Sequence, residues 1–263
     1  LFYFEAVSLK TVVLAGGLGT RLSEETEKIP KPLVEVGENP ILWHIMKHYA
    51  HYGFNDFVIA LGYKGDMIKK YYIDYLNLSQ DIKIDFSTVQ VDVRDKTIED
   101  WTVELVDTGR DTMTGGRLKR LEDILSEGTF MLTYGDGVCD MDLAALLEHH
   151  RSQGRIGTVT AVRPPARFGG LVLDGDSVLE FTEKPQVGAG WINGGYMVFE
   201  PQVFDYLSDD SSILETDCME ALARDGQLTA WRHDGFWQCV DTLRELRLLK
   251  SLWEEGSPPW RIW

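Results

Sequence analysis

Thr11-Val12-Val13-Leu14-Ala15-Gly16-Gly17-Leu18-Gly19-Thr20-Arg21-Leu22, with the Lys31-Pro32 that follows, decides how the rest of the chain is read. The stretch begins as an apolar, β-branched run, the composition of a buried strand. It ends in three glycines, a hydroxyl and a guanidinium. Glycines after a strand let backbone N–H groups close on a ligand. Arg21 and Lys31 add the positive charge that a polyphosphate requires. These features predict a nucleoside triphosphate site at the carboxyl end of the first strand. A dinucleotide fingerprint fits poorly, because Leu22 stands where its third glycine belongs. The G-x-x-x-x-G-K-[ST] phosphate loop occurs nowhere. The remaining alternative is a tight strand-to-helix turn with no ligand.

Working outward, Pro30 and Pro32 oppose helix in the loop that follows. Pro40 opens a helix to about Tyr52, with Ile41, Leu42, Ile45, Met46 and Tyr49 on one face. Phe57 to Leu61 reads as a second buried strand and Asp66 to Leu76 as a second helix. That order predicts a parallel sheet covered on both faces. Ile82 to Val93 and Trp101 to Val106 look like strands, Gly116 to Leu125 like a helix, and Phe130 to Tyr134 like a strand entering Gly135-Asp136-Gly137. A helix over Leu143 to Arg151 and a strand over Ile156 to Val162 follow.

The pattern then changes. Asp174-Gly175-Asp176 between two short apolar runs signals a hairpin. Trp191 to Phe199 is a strand interrupted by Gly194-Gly195, and Thr242 to Glu255 is a helix. The expected fold class is α/β: a Rossmann-like, mixed but mainly parallel sheet flanked by helices, with a mixed-strand half that carries a sugar-sized pocket. We expect one domain over residues 10–263. Residues 10–150 would form a nucleotide and metal half and 151–263 a sugar-phosphate half, with 1–9 an extension.

Among the 263 residues, 26 Lys and Arg stand against 42 Asp and Glu, a net charge of −16. Such a surface repels nucleic acid, so cations must be concentrated locally to hold phosphates. The three cysteines, Cys139, Cys218 and Cys239, are too dispersed for a disulfide framework and point to reduced thiols in a cytoplasmic protein. No apolar run has the length of a membrane span, so no membrane partner is expected.

Asp136 ends a strand at the edge from which the Gly16–Arg21 loop leaves, and Asp241 precedes the last helix. Two such carboxylates can hold one Mg²⁺, with phosphates and water completing its shell. For Asp136 the alternative is an Asp-Gly turn, and for Asp241 a helix N-cap. Lys184, before Pro185, is either a fixed phosphate contact or a surface lysine. Asn193, between an aromatic and two glycines, can donate to and accept from sugar hydroxyls. Thr112 to Arg117 resembles a second ligand-approach loop at a helix start, or a start capped by Thr114. His44 and His48 have metal-binding spacing but no third ligand, and are expected as partly exposed helix residues. No acyl-transfer signature occurs.

Leu14 to Leu22 with Pro30-Lys31-Pro32 resembles the signature of the sugar-1-phosphate nucleotidylyltransferases. Pro40 to Lys47, Gly62 to Gly65, Val106 to Gly109, Thr112 to Arg120, Thr133 to Val138, Phe181 to Pro185, Ile192 to Gly195, Gly235 to Gln238 and Asp241 to Arg244 resemble its glucose-specific cytidylyltransferase branch. The resemblance runs from about residue 10 to the C-terminus.

It implies that Leu14, Ala15, Gly16, Gly17, Gly19, Thr20, Arg21 and Lys31 bind the nucleotide, with Arg21, Lys31 and Asp136 catalytic. Thr114, Gly115 and Gly116 would lie near the nucleoside, and Asp136 and Asp241 would bind the metal. Gly169, Glu183, Lys184 and Asn193 would contact the sugar phosphate. It further implies CTP and glucose 1-phosphate as substrates and a homo-oligomer. Departures fall at Ile29, Glu38-Asn39, Ala166 and Cys239-Val240, where the family usually has Lys, Gly-Lys, Gly and Pro-Met. Uridylyl or thymidylyl transfer, a non-catalytic nucleotide-sugar sensor and a nicotinamide oxidoreductase are the competing readings. The sensor would be expected to lose Lys31, Asp136 or Asp241, and all three are present.

Overall fold

The computed structural model describes residues 9–17, 19, 28–94, 99–164, 170–174, 177–182 and 190–263. Its frame is a seven-stranded sheet. The strands are β1 (Lys10–Leu14), β2 (Asp56–Leu61), β3 (Thr102–Asp107), β4 (Phe130–Tyr134), β5 (Gly157–Val162), β6 (Ile192–Phe199) and β7 (Leu228–His233). They lie in the order β7-β5-β6-β4-β1-β2-β3. β1 runs parallel to both β2 and β4, as does β2 to β3 and β5 to β7. Only β6 is antiparallel to its neighbours β4 and β5. The mixed, mainly parallel sheet expected from the sequence is therefore present, and both halves of the chain share it.

Alternation along the strands explains why both faces are covered. Val12, Val58, Leu132 and Met197 enter one core, while Val13, Ile59, Met131 and Val198 enter the other. Against the sheet lie helices α1 (Ile41–His51), α2 (Gly65–Leu78), α3 (Thr114–Lys119), α4 (Leu143–Gln153) and α5 (Leu243–Glu254). The predicted face of α1, Ile41, Leu42, Ile45, Met46 and Tyr49, is wholly buried.

Three expectations are corrected. Ile82 to Val93 is not one strand but a hairpin of Asp81–Asp85 with Gln90–Arg94, because the polar Ser87-Thr88 lies at its turn, with Ser87 bonded to Asp85. Gly116 to Leu125 is not one helix. α3 stops at Lys119 and a further turn runs over Glu122–Leu125. Finally, His44 and His48 are buried, not partly exposed. Each ring uses Nε2 on a backbone carbonyl, His44 on Val36 at 2.8 Å and His48 on Met141 at 2.6 Å.

Burial lowers both histidines to about 4, against the pull of those carbonyls. The unfolded chain, titrating near 6.5, then binds more protons than the folded one between the two values. Stability is full above pH 6.5 and is lost as the pH falls towards 4. We expect a loss of roughly 1 kcal/mol per histidine by pH 5.5. Urea unfolding at pH 7.5 and 5.5 measures it, and His48→Gln should flatten the slope.

Candidate active site

β1 and β4 are parallel neighbours that end level, Leu14 opposite Tyr134. Beyond them the chain leaves the sheet edge as Ala15-Gly16-Gly17 and as Gly135-Asp136, tied by a Gly135 N–H bond to the Leu14 carbonyl at 3.1 Å. Open edges of this kind at strand carboxyl ends are where α/β sheets bind ligands. Gly135 packs closely on Pro32, since a Cβ there would sit 3.0 Å from its Cγ and the ring would have to shift by a few tenths of an ångström. That contact seats the short 3-10 turn Lys31–Leu33, introduced by Pro30, over the end of β4.

A small antiparallel ribbon delivers the second carboxylate. Gly137–Cys139 pairs with Trp237–Cys239, Gly137 opposite Cys239. Val240 N–H then bonds the Asp136 carbonyl at 2.8 Å, so Asp241 arrives beside Asp136. The N-cap alternative for Asp241 is resolved by its neighbour. Thr242 caps α5 in a capping box with Glu245, whose carboxylate takes the N–H groups of Asp241 and Thr242 at 2.7 and 2.9 Å. The Lys31 ammonium sits between the two aspartates, donating to Asp136 Oδ2 at 2.6 Å and Asp241 Oδ1 at 2.7 Å. Burial opposes its charge, but Asp136 first and Asp241 second outweigh it and raise the pKa.

Two cavities open on this triad. One, about 490 Å³, is lined by Gly16, Gly17, Gly19, Arg110, Thr114 and Lys31, among others. The other, about 350 Å³, is lined by Asn193, Gly194, Gly195, Glu215 and Trp237, among others. Tyr134, Asp136 and Asp241 line both. The carboxylate pair thus stands where the contents of the two cavities would meet. Gly194 and Gly195 lie where the β5–β6 register shifts, and Gly195 has φ +79°, a value that favours glycine.

Of the residues expected at the site, Leu14, Ala15, Gly16, Gly17, Gly19, Lys31, Thr114, Asp136 and Asp241 line the larger cavity, and Asn193 lines the smaller. Thr20, Arg21, Gly169, Glu183 and Lys184 lie outside the described residues. Gly115 and Gly116 are not among the residues lining either cavity. A Cβ on Gly115 would come 2.8 Å from the Ser212 carbonyl, and one on Gly116 2.5 Å from the Asp210 carbonyl. Their role in the structure is to let α3 lie against that segment. Tyr134 and Glu215 were missed by sequence reasoning. Glu215 sits in Leu214-Glu215-Thr216, which carries no local signal, and only the fold brings it to the cavity.

Arg117 is buried below the glycine loop. Its Nη1 donates to Leu61 O, Thr108 Oγ1 and Gly109 O, and its Nη2 to Gly16 O and Arg110 O. Burial pulls its pKa down and Asp107 opposes this. The three cysteines are free thiols, each pushed by burial up to about 12, so none is a thiolate nucleophile. Among the described residues no helix is long and apolar enough to cross a membrane.

The sequence matches the Nucleotidyl transferase family over residues 10–249. It is 47% identical over 256 residues to the glucose-1-phosphate cytidylyltransferase of Salmonella typhi, covering 97% of this chain and all of that protein. It is 32% identical to mannose-1-phosphate guanylyltransferase catalytic subunit beta of Dictyostelium discoideum, over 88% of this chain and 61% of that one. In structure it is similar to HddC from Yersinia pseudotuberculosis, with TM-score 0.68 and 24% identity over 93% of this chain and 99% of that one, a likeness of fold. With a family match spanning nearly the whole chain and a full-length relative at 47% identity, the chain belongs to the nucleotidyl transferase family.

Proposed function

We propose that this chain transfers the cytidylyl group of CTP to α-D-glucose 1-phosphate, giving CDP-glucose and pyrophosphate. One observation carries the reaction type: two cavities meet at a single pair of carboxylates bridged by a lysine. The 47% identity to a glucose-1-phosphate cytidylyltransferase over its full length supports the choice of base and sugar.

A phosphate oxygen of the sugar phosphate attacks the α-phosphorus of CTP. The new O–Pα bond forms as the Pα–O bond to pyrophosphate breaks, and pyrophosphate carries the electron pair away. The nucleophile is largely deprotonated at pH 7, since a phosphate monoester loses its second proton near pH 6. No general base is required, in keeping with two cavities whose described lining holds no histidine. The obstacle is repulsion between two anions in a site poor in water.

Lys31, with Arg21 and Lys184 by their motifs, supplies positive charge against that repulsion. Asp136 and Asp241 would hold a divalent cation, in our reading Mg²⁺. Their oxygens already converge on a cation, the Lys31 ammonium, and carboxylate oxygens are the donors that Mg²⁺ takes. When bound, such an ion neutralises phosphate charge and withdraws electrons from phosphorus. Thr20 joins the glycine loop on the triphosphate, and Gly169, Glu183 and Asn193 contact the glucose. A cytoplasmic setting fits the free thiols.

Pyrophosphate release with Mg²⁺ and glucose 1-phosphate, pairing each of CTP, UTP, dTTP and ATP, tests the reading. Turnover with CTP should exceed the others at least tenfold. Preference for another nucleotide would move the chain to a sister specificity, and no turnover with any would point to a different sugar phosphate or to the sensor.

A homo-oligomer is part of the proposal. The hairpin Asp81–Asp85 with Gln90–Arg94 presents Phe86 at 87% and Val89 at 89% exposure, and α2 just before it exposes Leu78 and Ile73. A strip of this kind suits a second copy of the chain. Sedimentation should show an assembly that Phe86→Asp with Val89→Asp reduces in mass. A monomeric wild type would overturn this part.

A further inference from the structure

Among the described residues, Tyr134 is the one aromatic side chain that lines both cavities. It closes the end of β4 and stands as a partition between them. Its ring is wedged on one side by Gly195, where a Cβ would approach Tyr134 Cδ2 to 2.7 Å. At its far end the hydroxyl donates to Oε1 of Glu215 in a short hydrogen bond. Burial, then the Glu215 charge, pushes the phenol above its ordinary value, so it remains a donor.

Glu215 is itself held. Its Oε2 accepts from Thr114 Oγ1 at 2.8 Å, and that hydroxyl in turn accepts the Leu214 N–H at 3.0 Å. Thr114 lines the larger cavity and Glu215 the smaller. Glu215 belongs to a π-helical turn, Leu214–Met219, a geometry that recurs at functional sites. The segment before it is locked onto α3 through Gly115 and Gly116. No lysine, arginine or histidine among the described residues forms an ion pair with Glu215. A carboxylate disfavours a phosphate but suits the hydroxyls of a neutral sugar ring.

We infer that Glu215 is a positioning residue for the sugar substrate, acting through Tyr134. It fixes the aromatic wall against which the sugar lies, and through Thr114 ties that wall to the rim of the nucleotide cavity. The inference rests on the reaction proposed above. A wall held by a hydrogen bond to a residue of the smaller cavity should be felt by the sugar far more than by the nucleotide, whose cavity is also lined by Gly16, Gly17, Gly19 and Lys31.

Calorimetric titration of glucose 1-phosphate, followed by steady-state kinetics with CTP, tests this on the full chain. Glu215→Met, which removes the acceptor at similar volume, Tyr134→Phe and the double variant are compared with wild type, with thermal unfolding alongside. We expect the Kd and KM for glucose 1-phosphate to rise about tenfold in each single variant. The KM for CTP should stay within about twofold, and the double variant should be no worse than the worse single, since both break one contact. Unchanged sugar-phosphate affinity would overturn the inference. So would a parallel rise in both KM values with a fall in Tm, which marks a structural role, or additive effects in the double variant. A wild type that neither binds glucose 1-phosphate nor turns it over with CTP would overturn the proposed reaction itself, and this inference with it.

Discussion

Asp136→Asn should lose about a thousandfold in turnover at saturating Mg²⁺ and CTP while the protein stays folded. That factor is about 4 kcal/mol of transition-state stabilisation, the size reported when one electrostatic contact to developing charge is removed. The structure says why so much rides on one carboxylate. Asp136 and Asp241 share a single cation position, now filled by Lys31 at 2.6 and 2.7 Å. With Asn at 136 one negative charge faces that position instead of two. A divalent ion then has half the protein charge to hold it beside a triphosphate that competes for it.

Stability should change little, because the Asp136 side chain keeps 30% of its exposure and its ion pair is partly screened. The main-chain bond from Val240 to the Asp136 carbonyl, which builds the ribbon, does not depend on the side chain. Pyrophosphate release and a melting curve measured on one preparation separate the two effects. Wild-type-like turnover would sink the metal assignment. Lys31→Met should fall by a similar factor, for loss of the cation proposed to offset phosphate charge.

The frame of the molecule was legible because strand signals of two kinds coincided in it. β1, β2 and β4 are continuous apolar runs closed by glycine, and each is a central strand buried on both faces. Helix α1 showed its core face through spacing alone. The glycine loop, Lys31 and Asp136 could be placed together because parallel strands must release them at one edge. Asp241 could be proposed but not decided, since an acid before a helix is equally a cap. Only the Gly137–Cys239 register and the Thr242–Glu245 capping box resolve it.

What stayed illegible depends on tertiary packing. Gly115 and Gly116 read as a ligand-approach loop in sequence, with no sign that their missing Cβ atoms also make room for the backbone around Asp210 and Ser212. His44 and His48 read as surface residues because the carbonyls that satisfy them, Val36 and Met141, come from other elements. Glu215 is one acid among many in a chain with 42. Nothing local distinguishes it until Tyr134 and Thr114 are seen to meet it.

Arg117→Met should lower the unfolding free energy by roughly 3 kcal/mol and raise the KM for CTP about tenfold. Two effects oppose each other. Among the described residues no carboxylate is bonded to the guanidinium, and its burial is costly, as the lowered pKa shows. Methionine removes that cost and fills the stem. Against this, five acceptors lose a donor. Leu61 O retains Thr108 N–H at 3.0 Å, and Gly16 O retains Tyr63 N–H at 3.2 Å, so neither is orphaned. Gly109 and Arg110 are partly exposed and can turn to water.

The decisive loss is therefore the slot itself. Gly16 and Gly62 lack Cβ atoms that would each fall 2.3 Å from the guanidinium, so the planar group fills a space cut for it between two backbones. Methionine cannot fill that slot, and a void there separates the glycine loop from the β2 end and from residues 109–110. The loop whose N–H groups must face the triphosphate then loses its underside support. Lysine should rescue little, because a point charge cannot span five acceptors spread around a plane. Denaturant unfolding of Arg117→Met and Arg117→Lys, read beside CTP titrations, tests both halves. If Arg117→Met matched wild type in stability while CTP affinity fell, the guanidinium would be a ligand contact and not the keystone of the loop.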